Sequence, residues 1–511
     1  MVGYVIAPVL ILVLASLYNA SSKERHHGKP LGHCYGWLFR SSSILMLTFA
    51  IGAVLRLWLA IVNTEANDNH LPVIRTIAFD HRVPAREEAW EAFQPKLYHT
   101  TVALLWQLVP NATSLTLIRI AQLVSCAAGI LTLAVILHFL RERRLRPVVS
   151  LLTFGSVALS PALIGSAAQA TNDSFVILFA TLTLYFGARF FARWQRRDLI
   201  PLVLSAVLAG VSKGNGLVVI VAVLTTFGLA IVWPALAAPT PNRRSAFLYG
   251  GAFALVVLPA VWFIGPYASF ERQYGTPFVT NWTPSSRPSL VHETYVDRPG
   301  LTSIAHGLFT FRFVDLLQHP VSTAHPTNYP RHRTSLWTRV YAQTHAARFE
   351  GWPRSWRSTA AAVLDLNRVL FVLGMIPTTL LAVGVVSTAR SLVRHGQDRA
   401  ASILWLVALA GYMAFVAVYS IRLRDYSSMK GLFVLPAALA GAALLSAGIS
   451  SVLTWSERGR RHRRVFARSL LTGFAILLIT YAADISLLVR DLSRRDPLAP
   501  LPTFFGRGDK P

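Results

Sequence analysis

Asp68 is the residue of this chain whose position best suits it to act as a base at a membrane surface. It lies in the polar run Asn67-Asp68-Asn69-His70, directly after an apolar stretch long enough to cross a bilayer as a helix. Arg56 lies inside that stretch, where an ionisable side chain marks a functional site or a buried pair. A carboxylate near positive charge stays ionised and can accept a proton from a hydroxyl group. The pattern therefore favours a catalytic site over a pore.

Two other acids of the same loop compete with Asp68 for this role. Glu65 precedes it and Asp80 follows it, and Asp80 is equally suited to cap local structure. The plainest alternative is that Asp68 is a solvated loop acid.

The elements that carry these residues are predicted to be membrane-spanning helices. The chain has 511 residues, of which 53% are hydrophobic and only 14% charged, and its mean hydropathy is positive. Its apolar residues come in blocks of about 18 or more, enough to cross the hydrocarbon core. Backbone inside a bilayer must satisfy its own hydrogen bonds, so these blocks should be helices. The expected fold is an all-α polytopic membrane protein.

The net charge of +26 is concentrated in short clusters between the apolar blocks. Such clusters are typical of cytoplasmic loops, and their natural partners are anionic membrane lipids rather than nucleic acid. The clusters are Arg141, Arg143, Arg144 and Arg146; Arg193, Arg196 and Arg197; Arg243 and Arg244; Arg390, Arg394 and Arg399; and Arg458 through Arg468. This topology puts most of the histidines outside. The two cysteines, Cys34 and Cys126, are predicted in a cytoplasmic loop and in a span, so no disulfide is expected.

The hydropathy pattern predicts about twelve spans and two larger extracytoplasmic loops. The block from Leu199 to Trp233 is broken by Ser212-Lys213-Gly214-Asn215-Gly216, which predicts two short helices joined by a turn that reaches outward. The chain divides into five predicted regions: an extra N-terminal span with a basic cytoplasmic segment (1–42), a transmembrane core (43–266) with a first outer loop (64–113), a large outer loop (267–366), a four-span bundle (367–487) and an outer tail (488–511).

Four short motifs, spread over about residues 43 to 280, resemble the C-type (GT-C) glycosyltransferases. After the arginine-bearing span and the acid of the first outer loop come, in the family's order, Gln94-Pro95-Lys96-Leu97-Tyr98-His99, Thr171-Asn172-Asp173-Ser174, Gly210-Val211-Ser212-Lys213 and Arg272-Gln273-Tyr274-Gly275-Thr276-Pro277. The set is most similar to the family of protein O-mannosyltransferases and bacterial lipid A aminoarabinose transferases. The chain departs from that family at Lys96, which replaces a proline, and at His99, which replaces a tyrosine.

The resemblance implies a polyprenyl-phosphate sugar as donor and cations that hold its phosphate. Lys213 is the first candidate, although a lysine there could equally be a snorkelling side chain. Arg422, Arg424 and Lys430 at another outer helix boundary are further candidates, with interface anchors as the alternative; Arg331 and Arg333 are candidates in the outer loop.

Several polar residues are predicted to support the reaction or bind the acceptor. These are Arg56, which would orient Asp68 or its loop, and Asn172, Asp173, Gln94, Tyr98 and His99 from the matched motifs. Asp173 has a second interpretation, as a helix cap. Members of this superfamily differ in metal use. A divalent ion that bridges Asp68 and the donor phosphate is an open alternative, and the sequence names no ligand set for it.

The sequence thus predicts a GT-C membrane glycosyltransferase with its site on the extracytoplasmic face. In this hypothesis Asp68 deprotonates the acceptor hydroxyl, which attacks the anomeric carbon and inverts it. The acceptor could be a protein, a lipid or a glycan. The alternatives are a transporter or flippase of a lipid-linked or anionic solute, and a scaffold without catalytic activity. Ala and Arg richness suggests a bacterial inner membrane, with the site facing the periplasm.

Overall fold

A computed structural model describes residues 41–66, 69–109, 113–232, 243–280, 304–321, 335–349, 352–358, 360–393, 399–423, 430–459 and 461–495. The long elements in these ranges are α-helices. They are α1 (Ser41–Val62), α2 (His70–Phe79), α3 (Leu97–Gln107), α4 (Ser114–Glu142), α5 (Pro147–Ala158), α6 (Pro161–Ala167), α7 (Asp173–Arg193), α8 (Arg196–Ser212), α9 (Leu217–Val232), α10 (Arg243–Ile264), α11 (Tyr267–Tyr274), α12 (Ile304–Phe309), α13 (Phe313–Gln318), α14 (Leu336–His345), α15 (Ala361–Val393), α16 (Arg399–Leu423), α17 (Ala438–Glu457) and α18 (Arg461–Ser493). Short 3-10 turns lie at Arg86–Glu88, Gly214–Gly216, Arg354–Trp356 and Gly431–Ala437.

Nine helical segments among the described residues are long and apolar enough to cross a membrane, and α5 with α6 adds a tenth span bent by 45°. The predicted all-α, multi-pass membrane architecture is therefore confirmed. The predicted number of twelve is not reached in this part of the chain. Helix α8 has only 17 residues, and the first predicted span falls on residues 2–19, outside the described ranges.

The bend between α5 and α6 explains why Arg56 lies inside a span. Pro161 cannot continue the preceding helix, so the last carbonyl groups of α5 lose their partners at the break. The buried Arg56 guanidinium donates hydrogen bonds to the carbonyl oxygens of Ala158 (2.7 Å) and Val157 (3.3 Å) there, and to Gly52 (2.9 Å) within α1. Arg56 therefore stabilises a broken helix through backbone carbonyl groups, with which ionisable residues buried in membrane helices commonly pair.

The first outer loop returns to the bundle through two short helices. Helices α2 and α3 pack on each other and on α4 through Ile74, Val102 and Leu117, with Tyr98 in the same cluster. Helix α3 has 11 residues and α2 has 10, so each is too short to cross a bilayer, which takes about 20 residues.

Candidate active site

The residue predicted to be the general base, Asp68, lies outside the described residues, as does Asn67. The structure describes the chain up to Ala66 and again from Asn69. The residues that flank this pair lie at one end of the bundle, together with the helix ends at Gln94, Asn172 and Lys213. This end is here called the outer end.

Asn63, at the end of α1, fixes the start of the loop that carries Asp68. Its carbonyl oxygen accepts hydrogen bonds from Arg119 (3.0 Å) and Gln122 (2.9 Å) of α4, which satisfies a carbonyl group that the end of a helix leaves unpaired. Its side-chain amide donates to the carbonyl oxygen of Ala168, at the end of α6 (3.1 Å). Asn63 is fully buried, so three helices converge on this residue.

Glu65 and Asp80 have separate roles in the structure. The Glu65 carboxylate accepts a hydrogen bond from the backbone N–H of Ser355 (2.9 Å), in a distant part of the chain. Asp80 pairs with Arg82 at 3.7 Å, with both side chains about half exposed. Neither carboxylate lines the large cavity described below.

His70, the first residue of α2, and His99 of α3 form a buried pair. The Nδ1 atom of His70 lies 3.0 Å from Nε2 of His99, and the two side chains are buried. Burial lowers the pKa of His99 well below its ordinary value, and the neighbouring His70 and Lys96 lower it further. The neighbouring Tyr98 is buried as well, and its hydroxyl group donates to the carbonyl oxygen of Ala121 (2.9 Å). These motif residues support the loop and do not line the cavity.

Gln94, Asn172, Asp173 and Lys213 form one chain of contacts across three helix ends. The Asn172 amide donates to Oε1 of Gln94 (2.5 Å) and to the carbonyl oxygen of Ser212 (3.2 Å). The Lys213 ammonium lies 2.7 Å from Oδ1 of Asp173. Three of the predicted motifs therefore meet in space, although their members are 40 and 78 residues apart in sequence.

Asp173 is not a helix cap of the kind that the sequence allowed. It is the first residue of α7 and follows the N-cap Asn172, whose side chain makes no capping hydrogen bond. The Asp173 carboxylate instead binds Lys213 and accepts a hydrogen bond from the Thr171 hydroxyl group (2.9 Å). A carboxylate with 1% exposure is shielded from solvent water, so these partners take the place of water as hydrogen-bond donors.

Gly216 allows the turn that carries Lys213. A Cβ atom at this position would lie 2.0 Å from the carbonyl oxygen of Ala209, which no side chain tolerates. The chain therefore leaves α8, presents Lys213 at the outer end and enters α9 within one 3-10 turn. The predicted break between two short helices is observed at this point.

A cavity of about 640 Å³ opens beside Lys213. Its walls come mainly from apolar residues, among them Leu217 and Val218 of α9, Tyr267 of α11 and Phe415 of α16, and Gln94 also lines it. Lys213 and Lys430 are the two cations of its described lining. The ring centroid of Phe433 lies 5.6 Å from Nζ of Lys213. An apolar cavity whose lining includes ammonium groups suits a ligand that joins a hydrocarbon chain to an anionic group.

Apart from Lys213 and Lys430, no predicted phosphate ligand is among the described residues that line this cavity. Arg331, Arg333 and Arg424 lie outside the described ranges. Arg422 lies in α16, and its side chain is also outside the description. Arg56 binds the break between α5 and α6 and is absent from the cavity lining.

Lys96, where the chain departs from the resembled family, is held by backbone carbonyl groups. Its ammonium donates to the carbonyl oxygens of Ala92 and of Gln94 (2.6 Å). Burial lowers the pKa of Lys96 to about 7, and the Glu91 carboxylate opposes this shift. Lys96 thus ties down the turn that presents Gln94 to the cavity.

This lowered pKa makes a prediction about stability. Lys96 stays protonated in the unfolded chain up to about pH 10.5 but loses its proton near pH 7 in the folded protein. The folded protein therefore binds fewer protons between these values, and the stability contributed by Lys96 rises with pH across that window. We expect the melting temperature of Lys96→Met, measured against wild type by intrinsic fluorescence in detergent, to be relatively highest at pH 6. The melting temperature of Lys96→Met minus that of wild type should fall steadily from pH 6 to pH 10. A value that does not change with pH would contradict the lowered pKa of Lys96.

The described residues contain no group of three His, Cys, Asp or Glu side chains that could hold a metal ion. A metal ion that bridges Asp68 and the donor phosphate would involve a residue outside the described ranges, and it stays a prediction.

Sequence reasoning missed three residues that the structure brings to the site, and it missed the contact that Trp356 makes. Glu91 receives a hydrogen bond from Gln94 and lines the cavity with Trp90. Phe433 faces Lys213, and Trp356 donates its indole N–H to Asn63. Glu91 lies three residues before a matched motif, so proximity was an available signal. Trp356 is 293 residues from Asn63, and no local pattern indicates their contact.

Residues 95–271 match the family model of dolichyl-phosphate-mannose-protein mannosyltransferases. This match confirms the resemblance predicted from the sequence and supports the predicted class, a membrane glycosyltransferase. It includes the second and third motifs and all of the first except Gln94, and it ends one residue before the fourth motif. No curated protein sequence matches the chain.

Three solved structures are similar to this chain at low identity. The S. cerevisiae protein O-mannosyltransferase Pmt1-Pmt2 complex bound to the sugar donor has 15% identity and a TM-score of 0.33, covering 46% of this chain and 34% of that chain. ArnT from Cupriavidus metallidurans in the apo state has 12% identity and a TM-score of 0.48, covering 89% and 76%. The same ArnT bound to undecaprenyl phosphate has 14% identity and a TM-score of 0.33, covering 83% and 80%. The chain thus aligns with about a third of the yeast protein's length, and TM-scores below 0.5 do not establish a common fold.

Proposed function

We propose that this chain transfers a sugar from a polyprenyl-phosphate donor to an acceptor hydroxyl group at the non-cytoplasmic face of a membrane. The observation that carries the proposal is the cavity beside Lys213. It combines an apolar wall with two ammonium groups at the outer end of the bundle, and a polyprenyl phosphate combines a hydrocarbon chain with an anion.

In the proposed reaction the acceptor oxygen attacks the anomeric carbon as the bond from that carbon to the donor phosphate oxygen breaks. Asp68 accepts the proton of the acceptor hydroxyl group, and polyprenyl phosphate leaves with the electron pair of the broken bond. Lys213 stabilises the negative charge that develops on the leaving oxygen. A single displacement of this kind inverts the anomeric configuration.

Lys213 is suited to this role by its surroundings. An ammonium group carries three N–H donors, and the ion pair with Asp173 uses one of them. Among the described residues, Asp173 is the partner that holds the ammonium at the cavity wall. The ion pair with the buried Asp173 carboxylate fixes the position of the Lys213 ammonium at the cavity.

The proposal places the outer end on the periplasmic side of a bacterial inner membrane. The supporting observation is the distribution of arginines: the ends of α4, α7 and α17 opposite the cavity carry Arg143, Arg193 and Arg458, and positive residues accumulate in cytoplasmic loops. The acceptor would be a protein, lipid or glycan of the cell envelope.

The alternative of a transporter lacks a comparable observation. Transporters bind their substrates near the bilayer midplane, between internal repeats. In the described part of the chain, the contacts among Gln94, Asn172, Asp173 and Lys213 instead lie at helix ends, and the family match is to transferases.

One experiment separates the three hypotheses. Purified full-length protein is reconstituted in liposomes with a polyprenyl-phosphate hexose or pentose labelled with tritium in the sugar, together with candidate hydroxyl acceptors. The proposal expects label in the acceptor and an equal amount of released polyprenyl phosphate. Label that only crosses the bilayer would identify a transporter. Label that stays on the hexose donor and on the pentose donor, each in its original leaflet, would favour a scaffold.

A further inference from the structure

A segment of the large outer loop ties the start of the Asp68 loop to the last helix of the bundle. This segment, here called the outer strap, consists of residues 346–349 and 352–358. The family match ends at residue 271, so the strap lies outside it. The strap makes one group of polar contacts with α18 and a second group with Asn63 and Glu65.

The first group anchors the strap to α18 through two buried charged side chains, Arg348 and Asp484, and through the partly exposed Asp491. Arg348 is 2% exposed and lies 2.9 Å from the Asp491 carboxylate and 3.6 Å from that of Asp484. The backbone N–H of Ala347 donates to the same Asp484 (3.2 Å). Buried charges of this kind are retained only when they are paired, and removing one partner is strongly destabilising. The strap is therefore firmly attached at this end.

The second group reaches the start of the Asp68 loop. The indole N–H of Trp356 donates to Oδ1 of Asn63 (3.2 Å), and the backbone N–H of Ser355 donates to the Glu65 carboxylate (2.9 Å). Trp356 is fully buried. These two hydrogen bonds hold residues 63 and 65, and Asp68 follows three residues later.

Trp352 completes the attachment by fixing Trp356. The two indole rings stack with centroids 5.8 Å apart and planes inclined by 17°. Trp352 also packs on α6, where a Cβ atom at Gly165 would lie 2.9 Å from its ring. The glycine gives the rigid ring room to lie against the helix, so the position of Trp356 is set by packing as well as by its hydrogen bond.

We propose that the outer strap is a positioning element for the catalytic loop, with Trp356 and Glu65 as its positioning residues. The inference rests on the proposed function of Asp68. Rates of catalysed reactions are sensitive to placement, and an error of about 1 Å can cost about 10²-fold. The strap and the helix ends around Asn63 hold the start of the loop, at residues 63 and 65, from two sides. Glu65 is then a hydrogen-bond acceptor that holds the loop and takes no proton from the substrate.

The first test measures the loop itself and does not depend on activity. Trp356→Phe keeps an aromatic ring to stack on Trp352 but loses the indole N–H. Trp337→Phe is the matched control, because Trp337 also donates its indole N–H to a carbonyl oxygen, that of Leu308 (2.8 Å), elsewhere in the outer loop. In hydrogen exchange on the full-length protein in nanodiscs, we expect Trp356→Phe to raise exchange of a peptide covering residues 63–70 several-fold, and Trp337→Phe to leave it unchanged. Equal exchange in wild type and Trp356→Phe would overturn the proposal.

The second test separates positioning from chemistry at Glu65. Glu65→Gln keeps an oxygen that accepts the Ser355 N–H, whereas Glu65→Ala removes it. We expect Glu65→Ala and Trp356→Phe to lower kcat about 10- to 100-fold with the donor KM unchanged within about twofold, and Glu65→Gln to stay within about threefold of wild type. Binding of radiolabelled undecaprenyl phosphate counts the folded sites in each variant. A Glu65→Gln variant as inactive as Glu65→Ala would make Glu65 an acid or base and overturn the proposal.

The two tests also separate this inference from the proposed function. A wild-type chain that transfers no sugar would contradict the proposed function, and the exchange comparison would then decide alone whether the strap holds residues 63–70.

Discussion

Asp68→Asn is expected to lower kcat for sugar transfer by about 10²- to 10⁴-fold, the usual contribution of a general base. Asparagine keeps the size and polarity of the side chain but cannot accept a proton from the acceptor hydroxyl group. The measurement is the rate at which tritiated sugar appears in the acceptor, using protein in nanodiscs whose folded fraction is counted by undecaprenyl phosphate binding.

Asp80→Asn is the matched control for this experiment. Asp80 is an acid of the same outer loop, half exposed and paired with Arg82, so its loss should change the rate by less than about twofold, as surface substitutions usually do. Full activity in Asp68→Asn would remove Asp68 as the base. An equal loss in both variants would show that the loop responds to charge in general.

Lys213→Met is expected to lower kcat/KM by about 10²- to 10³-fold, the range seen when one preorganised donor to a developing anion is removed. Methionine retains the length and apolar stem of lysine but offers no donor to the phosphate group. The loss should appear in both the donor binding constant and the chemical step, because the ammonium would contact the phosphate before and during bond cleavage. Binding of undecaprenyl phosphate and single-turnover transfer measure these two effects separately.

The control for Lys213→Met must reproduce the cost of leaving a buried carboxylate without its cation. Arg189→Met does so at the opposite end of the bundle, where Arg189 lies 3.2 Å from the buried Asp198. Both variants should lose stability, since breaking such pairs is costly, but only Lys213→Met should lose affinity for undecaprenyl phosphate. Equal effects on affinity would assign the Lys213 defect to unfolding.

The sequence was sufficient to predict the membrane helices and the segments that meet at the site. The length of the apolar blocks indicates α1, α4, α7 and α10, because a segment that crosses the lipid core must be a long apolar helix. The break at Gly214-Asn215-Gly216 was also predictable, since glycine clusters interrupt apolar helices. The motifs around Gln94, Asn172 and Lys213 were each identified by resemblance, and their order in the chain allowed them to be assigned to one site.

The pairing between those segments was not predictable from local pattern. The sequence offered a cap at Asp173 and a phosphate ligand at Lys213 as separate roles, and the structure joins the two residues in one ion pair. Arg56 was expected to orient the Asp68 loop, but its hydrogen bonds go to the carbonyl groups of the α5–α6 break. Glu65 was a competitor for the base, and its contact with Ser355 supports the positioning role that we propose for it. Each of these contacts depends on how distant helices pack.

The most direct test of the whole account is the side of the membrane to which the outer end faces. A single cysteine is introduced at Asn69, which is exposed and adjacent to Asp68, after replacement of Cys34 and Cys126 by serine. Labelling with a membrane-impermeant maleimide is then compared in right-side-out and inverted vesicles. The account predicts labelling from the non-cytoplasmic side only. Labelling only from the cytoplasmic side would contradict it, because the site could then not use a donor exposed on the outer leaflet.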